Sequence, residues 1–242
     1  MIDPRLFAAS LLLCCAAAQA DPGYYLVSVY ENEGARSVDF RYWSVKRNGA
    51  AEVVWPEIGV SYGVSKRWTT ELLASYIGPS ISSARLSSLN WQNDFLLTQG
   101  QYPVDVALHT NFIVNRDRDD GYALEFGPVV QTEIGRTQLN ANVFFERGFA
   151  SASPGATQLK YQWQAKYRTR STLKMGLQGF GELGTWNHWL PRAQQSHRAG
   201  PVVSGVWPLA GAQAIQADAA LLVGSTYGRN GSMFSLRIQY LF

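Results

Sequence analysis

Hydrophobic and polar residues alternate along many segments of the chain. In the segment 157–168, the apolar face is formed by Leu159, Tyr161, Trp163, Ala165 and Tyr167. The residues between them are polar or charged, and the same alternation runs through 104–115 and 232–242. A period of two predicts β-strands with one apolar face and one polar face. Strands in soluble sandwiches are usually only about 5–6 residues long, so alternating segments of about ten residues favour the wall of a membrane-spanning barrel.

The pattern predicts twelve strands, at 36–46, 55–65, 68–78, 87–98, 103–115, 121–133, 137–148, 157–169, 171–183, 197–207, 212–224 and 232–242. Short turns, such as 98–101, alternate with longer or more polar links, such as 184–196 and 225–231. This alternation is typical of tight periplasmic turns and longer external loops. We therefore predict an all-β fold, a membrane-spanning antiparallel up-and-down β-barrel of twelve strands, with ten or fourteen as alternatives.

Two predicted strands contain a Gly-Pro pair, Gly127-Pro128 and Gly200-Pro201. Proline has no N–H group to donate to a neighbouring strand. We expect a bulge or a gap in the hydrogen-bond ladder at each pair.

The N-terminal residues predict a cleaved signal peptide over residues 1–20. Residues 6–18 are almost wholly apolar or small, and Ala18-Gln19-Ala20 offers a small-x-small cleavage site. The apolar run is shorter than the roughly 20 residues that a membrane-spanning helix needs. The single barrel domain is then expected over 21–242. Within it, residues 21–35 precede the first predicted strand. Their apolar stretch, Tyr24 to Tyr30, can extend that strand, form a short periplasmic piece or partly plug the lumen, and the sequence leaves these three alternatives open.

The composition agrees with a membrane wall. Only 16% of the residues are charged, whereas the chain has 8 Trp, 12 Tyr and 11 Phe. Soluble domains usually carry about 25% charged residues, and aromatic girdles flank the apolar band of membrane barrels. The net charge of +3, without a basic cluster, argues against nucleic acid as a partner. Both cysteines, Cys14 and Cys15, lie in the predicted signal peptide, so the mature chain is expected to have neither disulfides nor thiolate metal sites.

The last strand carries apolar residues at every second position and ends in Phe. These residues are Phe234, Leu236, Ile238, Tyr240 and Phe242. The segment resembles the C-terminal recognition strand of Gram-negative outer-membrane proteins. That resemblance implies insertion by the barrel-assembly machinery and contact with outer-membrane lipid. More loosely, the whole pattern resembles small proteobacterial barrels grouped with transporters of aromatic-degradation gene clusters, although no motif matches residue by residue and no functional residue is carried over.

Polar residues opposite the apolar faces are expected to line the interior. In strands one to seven the main inward base is Arg41, and the inward acids are Asp39, Glu57, Glu71, Asp94, Asp105, Glu125, Glu133 and Glu146. In strands eight to twelve Glu182 and Asp218 oppose the inward bases Lys160, Lys166, Arg168, Lys174, Arg198 and Arg237. This distribution predicts an acidic wall facing a basic wall. Two arrangements remain open: a transverse electric field across a narrow pore, or a lumen filled by ion pairs. The strand count does not decide between them, because a twelve-stranded barrel is intermediate in size between small barrels with a solid interior and large barrels with an open channel.

Three functions are compatible with these features. We predict a narrow passive channel or transporter for small solutes, without a cofactor or metal. The alternative is a closed structural or surface barrel that acts through its external loops. A lipid hydrolase is a third hypothesis, but none of His109, His188 and His197 stands in a His-x-Ser arrangement, and a catalytic base must reach a nucleophile. We therefore predict that the protein is not an enzyme.

Overall fold

The structure is a computed structural model that describes residues 25–28, 33–150 and 155–242. The predicted signal peptide lies outside the described residues. The strands are β1 Arg36–Arg47, β2 Val53–Ser65, β3 Trp68–Ile77, β4 Arg85–Leu96, β5 Asp105–Asn115, β6 Tyr122–Ile134, β7 Thr137–Phe149, β8 Gln158–Arg170, β9 Leu173–Thr185, β10 His188–Trp189, β11 Ser196–Pro208, β12 Ala214–Thr226 and β13 Arg229–Leu241. Short 3-10 helices lie at Ile81–Ser83, Arg118–Asp120 and Arg192–Gln194. In the described ranges, no helix has the length and apolar character needed to cross a bilayer.

The long strands form a closed antiparallel barrel. Each long strand pairs with the next long strand along the chain, and the two-residue β10 pairs only with the end of β9. The barrel closes where β13 pairs with β1, in a register that runs from Ser37↔Leu241 to Arg47↔Gly231. Closure removes the free sheet edges that a lipid environment cannot satisfy. The predicted twelve-stranded up-and-down barrel is therefore confirmed, with β10 as one additional short strand.

The outer face of the wall is apolar and exposed. More than half of the side-chain surface is exposed at Ile58, Val60, Leu72, Leu89 and Leu221. The five apolar residues of the predicted assembly signal lie on the same face of β13 and just beyond its end, opposite the buried Ser235 and Gln239. Soluble monomers rarely expose contiguous apolar patches above a few hundred Å². This band is the surface that the fold presents to lipid.

We name the two ends of the barrel by their connections. The turn end is where β1 begins, and its two-residue turns are 66–67, 135–136 and 171–172. The loop end is the opposite end. Stacked aromatic pairs lie on the outer wall near both ends, such as Tyr240 and Phe242 at the turn end and Phe112 and Tyr122 at the loop end, with ring centroids 5.5 and 5.8 Å apart. These pairs form part of the aromatic rims typical of membrane barrels.

Two predicted connections differ most in length from the observed ones. The link predicted at 225–231 is the tight turn Tyr227-Gly228, so β13 begins at Arg229 rather than at 232. Tyr227 and Gly228 have φ values of 46° and 78°, and positive φ at both central residues is typical of the type I′ turns that suit twisted hairpins. The turn predicted at 98–101 spans 97–104 instead. There Asp105 Oδ1 accepts hydrogen bonds from Gly100 N at 2.7 Å and from Thr98 Oγ1 at 3.2 Å, which organises the longer connection.

The two Gly-Pro pairs interrupt the sheet as expected. The ladder between β6 and β7 has a gap at Gly127-Pro128, and the ladder between β11 and β12 has a gap at Gly200-Pro201. The ladders on the other side of the same residues, with β5 and β9, are continuous. The prediction of ladder gaps is therefore confirmed. A Cβ atom at Gly127 would lie 1.9 Å from Val143 O, so the two strands approach closely at the gap.

We expect Gly127→Ala to lower the free energy of unfolding by about 1–3 kcal/mol, because the added methyl group collides with backbone and forces the strands apart. Urea unfolding of the barrel in lipid vesicles, followed by tryptophan fluorescence, measures the change. Gly148→Ala on β7 is the matched control, since a Cβ atom there lies no closer than 3.9 Å to its neighbours. Equal effects of the two substitutions would contradict the close approach at Gly127.

Candidate functional site in the barrel interior

Residues 25–28 lie inside the barrel, and we call them the plug segment. The side chains of Tyr25 and Val27 are buried, with 8% and 5% of their surface exposed. Asn142 Nδ2 donates a hydrogen bond to Val27 O at 2.9 Å, and Val27 N donates to Gln162 Oε1 at 3.3 Å. Gln92 Nε2 donates to the hydroxyl of Tyr25. Of the three alternatives for the N-terminal residues, the described part of the segment corresponds to the lumen plug.

The plug segment packs against a cluster of buried apolar side chains from nine strands, which we call the apolar belt. The belt consists of Trp43, Val45, Leu96, Ala107, Val129, Phe144, Phe180, Val202, Ala220, Leu222 and Met233. The interior is therefore not polar throughout, which differs from the polar lumen expected from the sequence. The side chains of Phe144 and Leu222 are 1% and 0% exposed. The apolar runs 143–145 and 221–223, which break the alternation, are the sequence signal that could have indicated the belt.

A buried cluster of charges surrounds Arg41 beside the plug segment. Its guanidinium contacts Asp39 Oδ2 at 3.0 Å and Glu71 Oε2 at 2.5 Å, and it lies 3.9 Å from Glu57 Oε2. The guanidinium carbon is also 3.7 Å from the centroid of the Tyr25 ring, a cation–π contact. From the other side of the closing seam, Arg237 contacts Asp39 Oδ2 at 2.6 Å. One cluster therefore joins β1, β2, β3, β13 and the plug segment.

Ion pairs also join the walls in the loop-end half of the interior. Lys160 Nζ lies 3.0 Å from Glu125 Oε2 and also contacts Glu146. Arg198 contacts Glu182 Oε1 at 3.0 Å. At this level the basic residues of β8 and β11 are thus bridged to carboxylates of β6, β7 and β9. The sequence left open whether these charges set up a field across a pore or form ion pairs across the lumen, and in the loop-end half the structure shows ion pairs.

His109 is fully buried next to these pairs. Its Nδ1 atom is 2.6 Å from Asp94 Oδ1, and its Nε2 atom is 4.0 Å from Glu125 Oε1. The ring also packs against Phe144, with centroids 5.1 Å apart. His109 therefore lies between two inward carboxylates, and its hydrogen bond is to Asp94.

A cavity of about 430 Å³ occupies the turn-end half of the interior, and we call it the vestibule. Its charged lining residues are Lys166, Arg168, Lys174, Arg237, Glu133 and Asp218. Its lining amides are Gln131, Gln138, Gln164, Gln178, Gln216 and Gln239. The rim includes the exposed turn residues Ser171 and Thr172, and the inner end is formed by Tyr25, Leu26 and Ser28 of the plug segment. The vestibule is thus a polar chamber that opens at the turn end and stops at the plug segment.

Apart from Arg237, which pairs with the buried Asp39, the charges of the vestibule are only loosely paired. Arg168 contacts Glu133, and both side chains are more than 40% exposed. Lys166 Nζ lies 3.3 Å from Asp218 Oδ1 and 3.0 Å from Ser204 Oγ. Lys174 Nζ donates to the neutral amide oxygen of Gln138 at 2.7 Å. Asp105, which was also predicted to line the interior, does not line the vestibule. Its carboxylate accepts a hydrogen bond from Gly100 in the 97–104 connection.

The arrangement considered for a lipid hydrolase is not assembled in the described chain. His197 lies on the outer side of β11, where Nδ1 is 2.8 Å from the hydroxyl of Tyr161 and Nε2 is 2.8 Å from Gln195 Oε1. Ser196 is fully buried, and its hydroxyl accepts a hydrogen bond from Tyr227 N at 3.1 Å. His188 lies in the exposed β10 strand. No cluster of three or more His, Cys, Asp or Glu residues suited to a metal ion occurs among the described residues.

A closed antiparallel barrel of twelve long strands with an apolar outer band is the fold of bacterial outer-membrane β-barrel proteins. The structure is similar to the NanC porin, with a TM-score of 0.58, 11% sequence identity, and coverage of 85% of this chain and 98% of that chain. It is also similar to an outer membrane channel from Pseudomonas putida F1, with a TM-score of 0.61, 12% identity, and coverage of 92% of this chain and 99% of that chain. At these identities the likeness establishes the fold alone. No protein-family profile and no curated protein sequence matches the chain.

We expect Arg41→Met to lower the free energy of unfolding by about 3–5 kcal/mol, because it leaves buried carboxylates without their cation. Arg168→Met is the control, since its ion pair with Glu133 is exposed and the expected loss is below about 1 kcal/mol. Urea unfolding in lipid vesicles measures both values. A loss for Arg41→Met no larger than for Arg168→Met would show that the cluster does not hold the seam and the plug segment together.

Proposed function

We propose that the protein is a narrow outer-membrane channel for small solutes, with the vestibule as one half of the solute path. The observation that carries the proposal is the vestibule itself, a polar chamber of about 430 Å³ inside the wall. Small solid barrels fill their interior with side chains, whereas this barrel leaves a chamber within the usual size range of small-molecule sites. The two similar porin and channel structures support the proposal through their fold.

The constriction of the proposed channel is the plug segment in the apolar belt. The segment is not part of the wall, and its backbone is held by the side-chain amides of Asn142 and Gln162. Its largest side chain, Tyr25, fills the space beside Trp43, with ring centroids 6.4 Å apart. Truncating the buried plug side chains therefore widens the path without removing a strand of the barrel.

The proposal also includes the location and assembly of the chain. A cleaved signal peptide over 1–20 exports the chain, and the last strand addresses it to the barrel-assembly machinery of the outer membrane. In support, the alternating apolar residues that end in Phe242 lie on the outer face, where assembly factors and lipid can reach them. Outer-membrane lipid is then the partner of the apolar band.

Reconstitution of the pure, folded mature chain into planar bilayers tests the channel. We expect small discrete conductance steps from the unaltered chain and larger steps from the Tyr25→Ala/Val27→Ala variant, because the truncated side chains widen the constriction. The control is Ile58→Ala/Val60→Ala, which truncates two exposed residues of the outer face and leaves the steps unchanged. Folded protein that produces no discrete steps would contradict the channel and favour a closed surface barrel acting through its loops.

Phospholipid hydrolysis in mixed micelles separates the channel from the third hypothesis. We expect no hydrolysis by the pure protein, because His197 contacts Tyr161 and Gln195 rather than a serine. Hydrolysis that is lost in His197→Ala would contradict this expectation and identify the outer-face histidine as a catalytic residue.

A further inference from the structure

Three basic side chains lie close together in the vestibule wall that β8 and β9 form. Arg168 and Lys174 are directly opposite each other in the ladder between these strands, and both line the vestibule. Lys166 lies two residues from Arg168 on the same face and also lines the vestibule. Like charges that face each other across a ladder are destabilising. The juxtaposition therefore requires a compensating negative charge.

The protein supplies that compensation only in part. The carboxylates that contact Arg168 and Lys166 belong to Glu133 and Asp218, whose side chains are 47% and 38% exposed. Exposed ion pairs contribute little, typically below about 1 kcal/mol. Lys174 has no carboxylate within 4.0 Å in the described part of the chain, and its ammonium donates to the Gln138 amide. A positive potential consequently remains at the wall formed by β8 and β9.

We propose that this wall is a binding site for a small organic anion, whose carboxylate or phosphate group lies between Lys174 and Arg168. A planar guanidinium suits the two oxygens of a carboxylate or phosphate, and an ammonium adds a point charge. The amides of Gln164 and Gln178, joined by a hydrogen bond of 2.8 Å, lie on the same strands deeper in the vestibule. These amides supply donors and acceptors for the hydroxyl groups of a polar solute.

The size of the chamber limits the anion. A volume of about 430 Å³ lies at the lower end of the range for small-molecule sites. A monosaccharide-sized anion fits this range, whereas a long oligomer does not. The role of this site in solute passage rests on the proposed function. Anion binding itself does not require an open path through the barrel.

Calorimetric titration of the folded protein in detergent tests the site with gluconate, glucose 6-phosphate and neutral glucose as probes. We expect saturable binding of at least one of the two anions and none of glucose, and comparison of the anions distinguishes carboxylate from phosphate as the preferred group. Binding should weaken as the salt concentration rises, because salt screens the partly exposed charges. Equal binding of glucose and the anions would overturn the charge-based site.

Variants locate the site on the β8–β9 wall. We expect Lys174→Gln and, independently, Arg168→Gln to weaken anion binding by about tenfold, equivalent to about 1.4 kcal/mol. Lys66→Gln is the control, since it removes the same charge from a turn at the same end without altering the vestibule lining. Equal weakening by Lys66→Gln would show general charge attraction and overturn the site.

Planar-bilayer conductance of the same preparations separates this inference from the proposed function. Conductance without anion binding overturns the anion site and leaves the channel intact. Anion binding without conductance supports the site and contradicts the channel. Each variant is first shown to be folded by its resistance to unfolding in cold detergent. Loss of anion binding is then interpreted only for variants that are folded.

Discussion

Closure of the sheet between β1 and β13 is the constraint on which the other features depend. Within a bilayer, backbone N–H and C=O groups have no water to bond, so a spanning sheet must have no free edge. The seam satisfies this requirement through continuous pairing, and its last bonds join Arg36 and Phe242 in both directions. In the turn-end half of the same seam, Asp39 lies between Arg41 and Arg237. Backbone closure and the buried charge cluster thus coincide.

The charge cluster fixes geometry more than it adds stability. Bringing charges into a low-dielectric interior costs several kcal/mol per ion, and pairing repays this cost only with complete hydrogen bonding. The guanidinium of Arg41 is hydrogen-bonded to Asp39, Glu71 and Gln92 and contacts the Tyr25 ring. Among the described residues, however, Asp39 Oδ1 and Glu71 Oε1 are buried without a hydrogen-bond partner. The arrangement therefore specifies where β1, β3, β4 and the plug segment meet. Because Tyr25 contacts both Arg41 of the cluster and Trp43 of the apolar belt, the cluster also sets the depth of the plug segment.

The interior is consequently divided along the barrel axis. The loop-end half contains tightly bridged charges such as Lys160 with Glu125, the middle contains the apolar belt, and the turn-end half contains the vestibule. Bridged charges can hold neighbouring walls together, whereas loosely paired charges remain available to a solute. This difference is why we place anion recognition at Lys174 rather than at Lys160, although both are inward bases on neighbouring strands.

The sequence predicted the barrel well because strand periodicity determines which face a residue occupies. The alternation along β8, the closing strand and the gaps at the two Gly-Pro pairs all follow from local rules. Periodicity does not determine depth along the axis or the partner across the lumen, since strand tilt and register shift the residues of neighbouring strands relative to one another. For this reason Asp105 and Glu125 looked equivalent in the sequence, although one organises a turn and the other pairs with Lys160. The plug segment was one of three alternatives because a short apolar stretch fits a strand edge and a barrel interior equally well.

In the proposed channel the plug segment separates the vestibule from the loop end, and thiol accessibility tests this separation most directly. Both cysteines of the chain lie in the predicted signal peptide, so Gln216→Cys places a single thiol in the vestibule lining of the mature protein. In vesicles with one barrel orientation, a membrane-impermeant thiol reagent is added from each side in turn. We expect rapid labelling from the turn end, and slow labelling from the loop end that becomes fast when Tyr25 and Val27 are truncated to Ala. Equally fast labelling from both ends with the plug segment unaltered would contradict the separation.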